Sequence, residues 1–303
     1  MVEHPMNEAL REQRTMLARL SYSFLLDEIG GGLAGLAPLD ALLVLAINQA
    51  NIIPLTRDPS ARARYGQLDA PALDHERRPV SINAIAGSLD LPFETARRRI
   101  RRLAADGVCA LSSEGVIVPA SFLVSPGYLE SVMAGHDRMR RFYLDLRTRG
   151  LLDPLPAPNY DLEGSVPVRA AVRLLSDYLL RSTEGLMRET GNVISMMILT
   201  ALLAGSLQDR DGGRLPSMRA LVQRLKLPPE TIRRHVTQLT EAGLCERGRS
   251  GLVVPADVLA SDRFERLFAD NATNVQRLMA GLAERGVTLA WDTGGALDGR
   301  QMA

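Results

Sequence analysis

Apolar residues recur along this chain at helical spacing in blocks separated by tight turns. Ile82, Ile85, Ala86 and Leu89 form one stripe behind Ser81, a residue suited to cap a helix, and after Asp90-Leu91 a second helix is predicted to open at Pro92. Ala96, Ile100 and Leu103 are its buried face, and Gly107 closes it in the residue type that tolerates a left-handed cap. Two short β-like runs follow, Val108–Leu111 and Val116–Pro119, around Ser112-Ser113-Glu114-Gly115, which predicts a hairpin. Longer amphipathic helices are expected on either side, at Asn7–Ile29 before the unit and Met133–Leu146 after it.

The same pattern returns downstream. Sliding the sequence on itself by 136 residues aligns Ser81–Leu123 with Ser217–Leu259 without a gap, and 17 of the 43 positions are identical. Ile232, Val236 and Leu239 then form the second buried face, Gly243 the second cap, and Gly248–Gly251 the second hairpin tip. Upstream, Phe24-Leu25-Leu26 matches Tyr178-Leu179-Leu180 at an offset of 154, which places an 18-residue insertion within 54–79 of the first repeat. Its Pro, Ala, Arg and Asp content predicts a long loop. Val166–Leu180 and Ala272–Leu282 are the flanking helices of the second copy.

Domain boundaries follow from this duplication. The first repeat with its flanking helices occupies 1–151, a Pro-rich, semi-rigid linker 152–166, the second repeat 167–287, and a flexible tail 288–303. At 303 residues, two domains, each with its own core, are expected.

Charge changes the picture only locally. Lys and Arg number 36 against 35 Asp and Glu, a net charge of +1, so affinity for a polyanion must come from clustering. It is clustered: Arg97, Arg98, Arg99, Arg101 and Arg102 with Glu94 give +4 between Pro92 and Leu103. The face opposite the buried stripe carries Glu94, Thr95, Arg98, Arg101 and Arg102, flanked by Arg97 and Arg99. The second copy presents Thr231, Arg233, Arg234, His235, Thr237 and Gln238 against Glu230, and its hairpin adds Arg247 and Arg249 against Glu246. Guanidinium forks suit both guanine edges and phosphates, so these residues are the candidate DNA contacts.

The strings LxLPxETxRRRIRRLxxxGV and LxLPPETIRRHVTQLxxxGL, each followed by a hairpin ending in Val-Pro, resemble winged helix-turn-helix domains of bacterial transcription regulators of the MarR, GntR and IclR type. The resemblance covers about 45 residues per repeat. It implies a mainly α fold with small β-hairpin wings, duplicated in one chain, and a sequence-specific regulator binding double-stranded DNA. By analogy with such domains, Thr95, Arg98, Thr231 and Arg234 would meet base edges and phosphates, and Arg99, Arg101 and Arg102 mainly phosphates. Those regulators usually carry one such domain per chain, and no ligand-sensing domain of the GntR or IclR kind is evident. A replication or partition initiator and a protein-binding structural adaptor also resemble tandem winged-helix chains.

Other chemistry is thin. His4, His75, His136 and His235 lack metal-ligand spacing, and two cysteines in different repeats cannot form a tetrahedral zinc site, so neither metal nor cofactor is expected. Glycine-rich phosphate loops and a Ser/His/Asp arrangement in supporting context are absent, so no enzyme is expected. Cys109 and Cys245 fit a reducing cytosol and, with no signal peptide read at the N-terminus, a cytoplasmic location is expected. Leu39–Ile53 and Val193–Leu207, about 15 residues each, fall short of a bilayer span, and no membrane association is expected. The flanking helices either complete the core or pair with a second copy, leaving a homodimer open.

Overall fold

The computed structural model describes residues 5–57, 64–65, 71–159, 167–209, 215–248 and 251–293. The chain is mainly helical, with thirteen α-helices and two hairpins among the described residues. In chain order these are α1 (Pro5–Gly31), α2 (Pro38–Arg57), α3 (Ile82–Ser88), α4 (Phe93–Ala105), β1 (Ala110–Ser112), β2 (Gly115–Ile117), α5 (Ala120–Leu123) and α6 (Pro126–Thr148). There follow α7 (Val168–Thr190), α8 (Val193–Asp209), α9 (Met218–Leu225), α10 (Pro229–Glu241), β3 (Glu246–Arg247), β4 (Leu252–Val253), α11 (Ala256–Leu259), α12 (Asp262–Glu284) and α13 (Val287–Asp292).

The caps and turns of the two halves match closely. Ser81 Oγ accepts from Ala84 N at 3.1 Å, and Ser217 Oγ from Ala220 N at 3.2 Å, capping α3 and α9. The turn into the next helix passes through a non-glycine residue in the left-handed region in both copies, Asp90 at φ 45° and Lys226 at φ 50°. Buried leucines hold it on both sides, Leu89 and Leu91 in one copy, Leu225 and Leu227 in the other. Each hairpin is antiparallel, with Leu111 opposite Val116 and Arg247 opposite Leu252. A further rung joins Val116 to Val80, and at the matching place Leu252 N donates to Pro216 O at 2.9 Å.

One hydrophobic cluster runs through both halves, which differs from the expectation of two separate cores. Its centre is α1, α2, α6, α7, α8 and α12. The most extensive helix contact joins α1, from the first half, to α8 in the second, and α1 also packs on α12. Phe24 of α1 stacks on Phe142 of α6 at 4.4 Å and lies 6.1 Å from Tyr178 of α7. Asn271 of α12 donates to Ser21 Oγ of α1 at 2.6 Å inside this core. The flanking helices therefore complete a shared interior, because their apolar stripes face each other across the two halves.

Three boundaries shift. Within the expected loop 54–79, α2 continues through Pro54 to Arg57 and a 3-10 turn forms at Asp74–Glu76; residues 58–63 and 66–70 lie outside the described set. The expected tail forms α13 up to Asp292, since Thr288 and Trp291 are buried against α6. The linker is tacked down where it is described, with Leu152 and Leu155 half-buried, Asp153 N donating to Gln276 Oε1 at 3.2 Å and Asn159 N to Glu284 O at 2.9 Å, while its prolines are exposed; residues 160–166 lie outside the described set.

At 20 residues, α2 is longer than the sequence pattern suggested, and Pro38–Leu55 is apolar enough to cross a membrane. Here it is mostly buried inside the protein. Its polar residues Asp40, Asn48 and Asn51 are all tied to neighbouring segments of the chain.

Candidate nucleic-acid interface

The third helix of each unit, α4 and α10, lies with its predicted stripe inward: Ala96, Ile100 and Leu103 are buried in one, Ile232, Val236 and Leu239 in the other. The opposite faces are exposed. On α4 they present Glu94, Arg98, Arg101 and Arg102, with Thr95 and Arg97 half-buried, and Glu94, Thr95, Arg97, Arg98 and Arg101 line a surface depression of about 350 Å³. On α10, Arg233, Arg234, Thr237 and Gln238 are exposed and Thr231 is half-buried.

Ion pairs thin this cationic surface. Arg97 Nε donates to Glu94 at 3.0 Å, and Arg233 Nε to Glu230 at 2.9 Å, three residues apart on each helix. The Arg partner holds each of these exposed carboxyls below the usual glutamate range.

Arg99 and Arg102 are the larger departure. Arg99 Nη1 reaches Asp40 Oδ1 at 2.7 Å, and Arg102 bonds the other oxygen of the same carboxylate, whose side chain is only 3% exposed. Both had been expected to meet phosphates. Instead they fasten α4 to the start of α2, because a buried carboxylate demands cationic partners more strongly than solvent does. Arg98 and Arg101 remain as the outward arginines of α4, Arg101 acting on Glu94 through its charge alone.

His235 is a correction of a different kind. It occupies the position of Arg99, 136 residues on, but is buried, with Nδ1 2.9 Å from Ser195 Oγ of α8. Burial, then the Arg234 charge, lowers its pKa. It contributes to the interior and not to the outward face, because α8 offers a hydroxyl where α2 offers a carboxylate. In both halves, then, the helix before the unit grips the third helix through one polar side chain.

A second grip holds each hairpin. Asn51 Oδ1 of α2 accepts from Val118 N at 3.0 Å while its amide donates to Arg78 O at 2.8 Å and Val116 O at 3.1 Å. In the other half Ser206 Oγ of α8 accepts from Val254 N at 2.9 Å. Arg247 stands exposed on β3, and Arg249 lies outside the described residues.

Sequence reasoning did not find Asp40, Ser195, Asn51 or Ser206. A lone acid in an otherwise apolar run was the available signal for Asp40, and an amide in the same run the signal for Asn51. No protein-family description, curated protein or solved structure matches this chain.

Proposed function

We propose that this protein is a non-enzymatic regulator of transcription that binds double-stranded DNA through two winged helix-turn-helix units in one chain. The observation that carries the reading is the pairing of geometry with charge. Each half holds two short helices joined by a tight turn and followed by a hairpin, and the second of these helices turns its apolar stripe inward and arginine outward, with Arg98 and Arg101 on α4 and Arg234 on α10. Such a helix fits the major groove, where guanidinium forks bond guanine edges and phosphates. Thr95, Arg98, Thr231, Arg234, Thr237 and Gln238 are the base-reading set, Arg101 meets phosphate, and Arg247 serves the second hairpin. Arg97 and Arg233 are held by their glutamates and serve less. A cytosolic setting fits this role.

The test is the salt dependence of duplex binding by fluorescence anisotropy. Each phosphate contact contributes about 0.9 to the slope of log affinity against log salt. Arg98→Ala with Arg101→Ala should therefore flatten the slope by roughly 1–2. Binding that is absent from duplex DNA, or a slope indifferent to this double change, refutes the proposal.

A further inference from the structure

Helices α1, α2, α6, α7 and α8 converge on a cavity of about 70 Å³, and every residue that walls it lies in the described part of the chain. One water needs roughly 10–15 Å³, and an engineered core cavity of about 150 Å³ takes a benzene ring. The space therefore has room for a short chain of atoms. Most of its wall is apolar: Leu42 and Leu45 of α2, Val172 and Leu175 of α7, Met196 and Met197 of α8. The two methionines make it adaptable, because an unbranched thioether chain repacks easily.

One stretch of the wall is charged. Glu28 of α1, its side chain only 6% exposed, accepts from Nε and Nη2 of Arg138 on α6, both at 2.8 Å. Burial pushes the Glu28 carboxyl up more than Arg138 holds it down, so the guanidinium does not fully replace the water that this group gives up on folding. Ser176 and Thr183 of α7 also reach the cavity. Each spends its hydrogen on its own helix, at Val172 O (2.9 Å) and Leu179 O (2.8 Å), and keeps an oxygen that can accept. Beside the carboxylate, α6 carries a glycine: a methyl at Gly135 would stand 3.5 Å from Glu28 Oε2 and 3.6 Å from Leu175 Cδ2. Glycine inside a helix weakens it, and here it leaves room next to the carboxylate.

We infer that this cavity binds a small, mainly apolar molecule carrying one hydroxyl, which donates to Glu28 while a short alkyl body lies among α2, α7 and the two methionines. A hydroxyl fits better than an ammonium, because the Glu28–Arg138 pair is already neutral and an added cation would stay uncompensated out of water. It fits better than a group without a donor, because the polar part of the wall around Glu28, Ser176 and Thr183 offers oxygens that accept. Pro38 and Ala41 in the wall lie on either side of Asp40, which holds α4, and Met196 follows Ser195, which meets His235 of α10. A bound molecule thus braces both helices that hold the outward helices from behind.

The test is a titration of the native chain with n-butanol, without DNA, read on the methionine methyl resonances in two-dimensional NMR. Saturable shifts should be largest at Met196 and Met197, with the other methionines as internal controls. Diethyl ether, the isomer that lacks a donor, and butylammonium should each bind about fivefold more weakly or worse, the worth of one hydrogen bond. Gly135→Ala, which puts a better helix former at ordinary contact distances and keeps the fold, should weaken n-butanol by a similar factor. Ala41→Met, which fills the α2 side, should abolish its binding. Shifts that do not saturate, shifts spread evenly over all methionines, equal binding of the ether or of butylammonium, or n-butanol binding unchanged in either variant that circular dichroism shows to be folded would each overturn the site. Duplex binding is measured apart by anisotropy, so either reading can fail alone.

Discussion

Asp40→Asn separates two roles of one carboxylate. Asp40 is nearly fully buried and accepts from Arg99 at 2.7 Å and from Arg102. Bonds to a charged partner contribute about 1.5–3 kcal/mol each, and stranding a cation in the interior costs about 3–5 kcal/mol. Here the stranded groups can reach water, since the Arg99 side chain is 21% exposed and that of Arg102 is 59% exposed. The asparagine also keeps one accepting oxygen. A loss of about 1–3 kcal/mol follows, seen as a Tm lowered by roughly 2–6 °C at about 2 °C per kcal/mol for a chain of this size. The same change frees two arginines on the outward helix, so duplex affinity at low salt should rise and the salt slope steepen by up to about 1.8, twice 0.9. Stability and affinity thus move in opposite directions. Thermal melting and anisotropy on one preparation measure both. An unchanged Tm with an unchanged slope would falsify the account of α4 as a helix whose charge is set from behind.

Three more outcomes follow from the same packing. Asn51→Ala leaves Val118 N–H and two carbonyls without their buried partner and should cost about 3 kcal/mol, whereas Ser206→Ala, which deletes one such bond, should cost about half that; urea denaturation compares them. A methyl at Gly115, where φ is +141°, would stand 2.6 Å from Val80 O, so Gly115→Ala should destabilise by about 2–3 kcal/mol, while Gly87→Ala, at a helical glycine with open space around it, should not. His136 is buried against Trp291, ring centres 5.3 Å apart, its Nε2 without a hydrogen-bond partner among the described residues, and burial lowers its pKa to about 4. The unfolded chain takes up this proton near pH 6.5 and the folded protein only near 4. Stability is therefore complete above about 6.5 and falls by up to about 3 kcal/mol between there and 4. His136→Gln should flatten that part of the melting curve relative to native.

Much of this was readable in the residues. The stripes of α4 and α10, the capping serines, Gly107 and Gly243 and the equivalence of the halves all follow from periodicity, because a helix with one apolar face has few ways to sit. Where the chain departs from pattern, the cause is a distant partner. Arg99 and His235 occupy one register position, yet the first is drawn to a carboxylate and the second to a hydroxyl, each about 40–60 positions earlier in the chain. Local spacing carries no trace of such contacts. The shared core was illegible for the same reason: amphipathic stripes on α1 and α7 state that a face is buried, not which half covers it.

That interlocking has a consequence for how such a chain could change. A protein made by doubling ordinarily keeps two detachable parts, either of which can be lost or traded. Here the first helix is sealed beneath elements of the later copy, so neither half retains a complete apolar interior if the other is removed. The two arginine-bearing edges therefore hold a fixed mutual placement, set by packing instead of by the length of a tether.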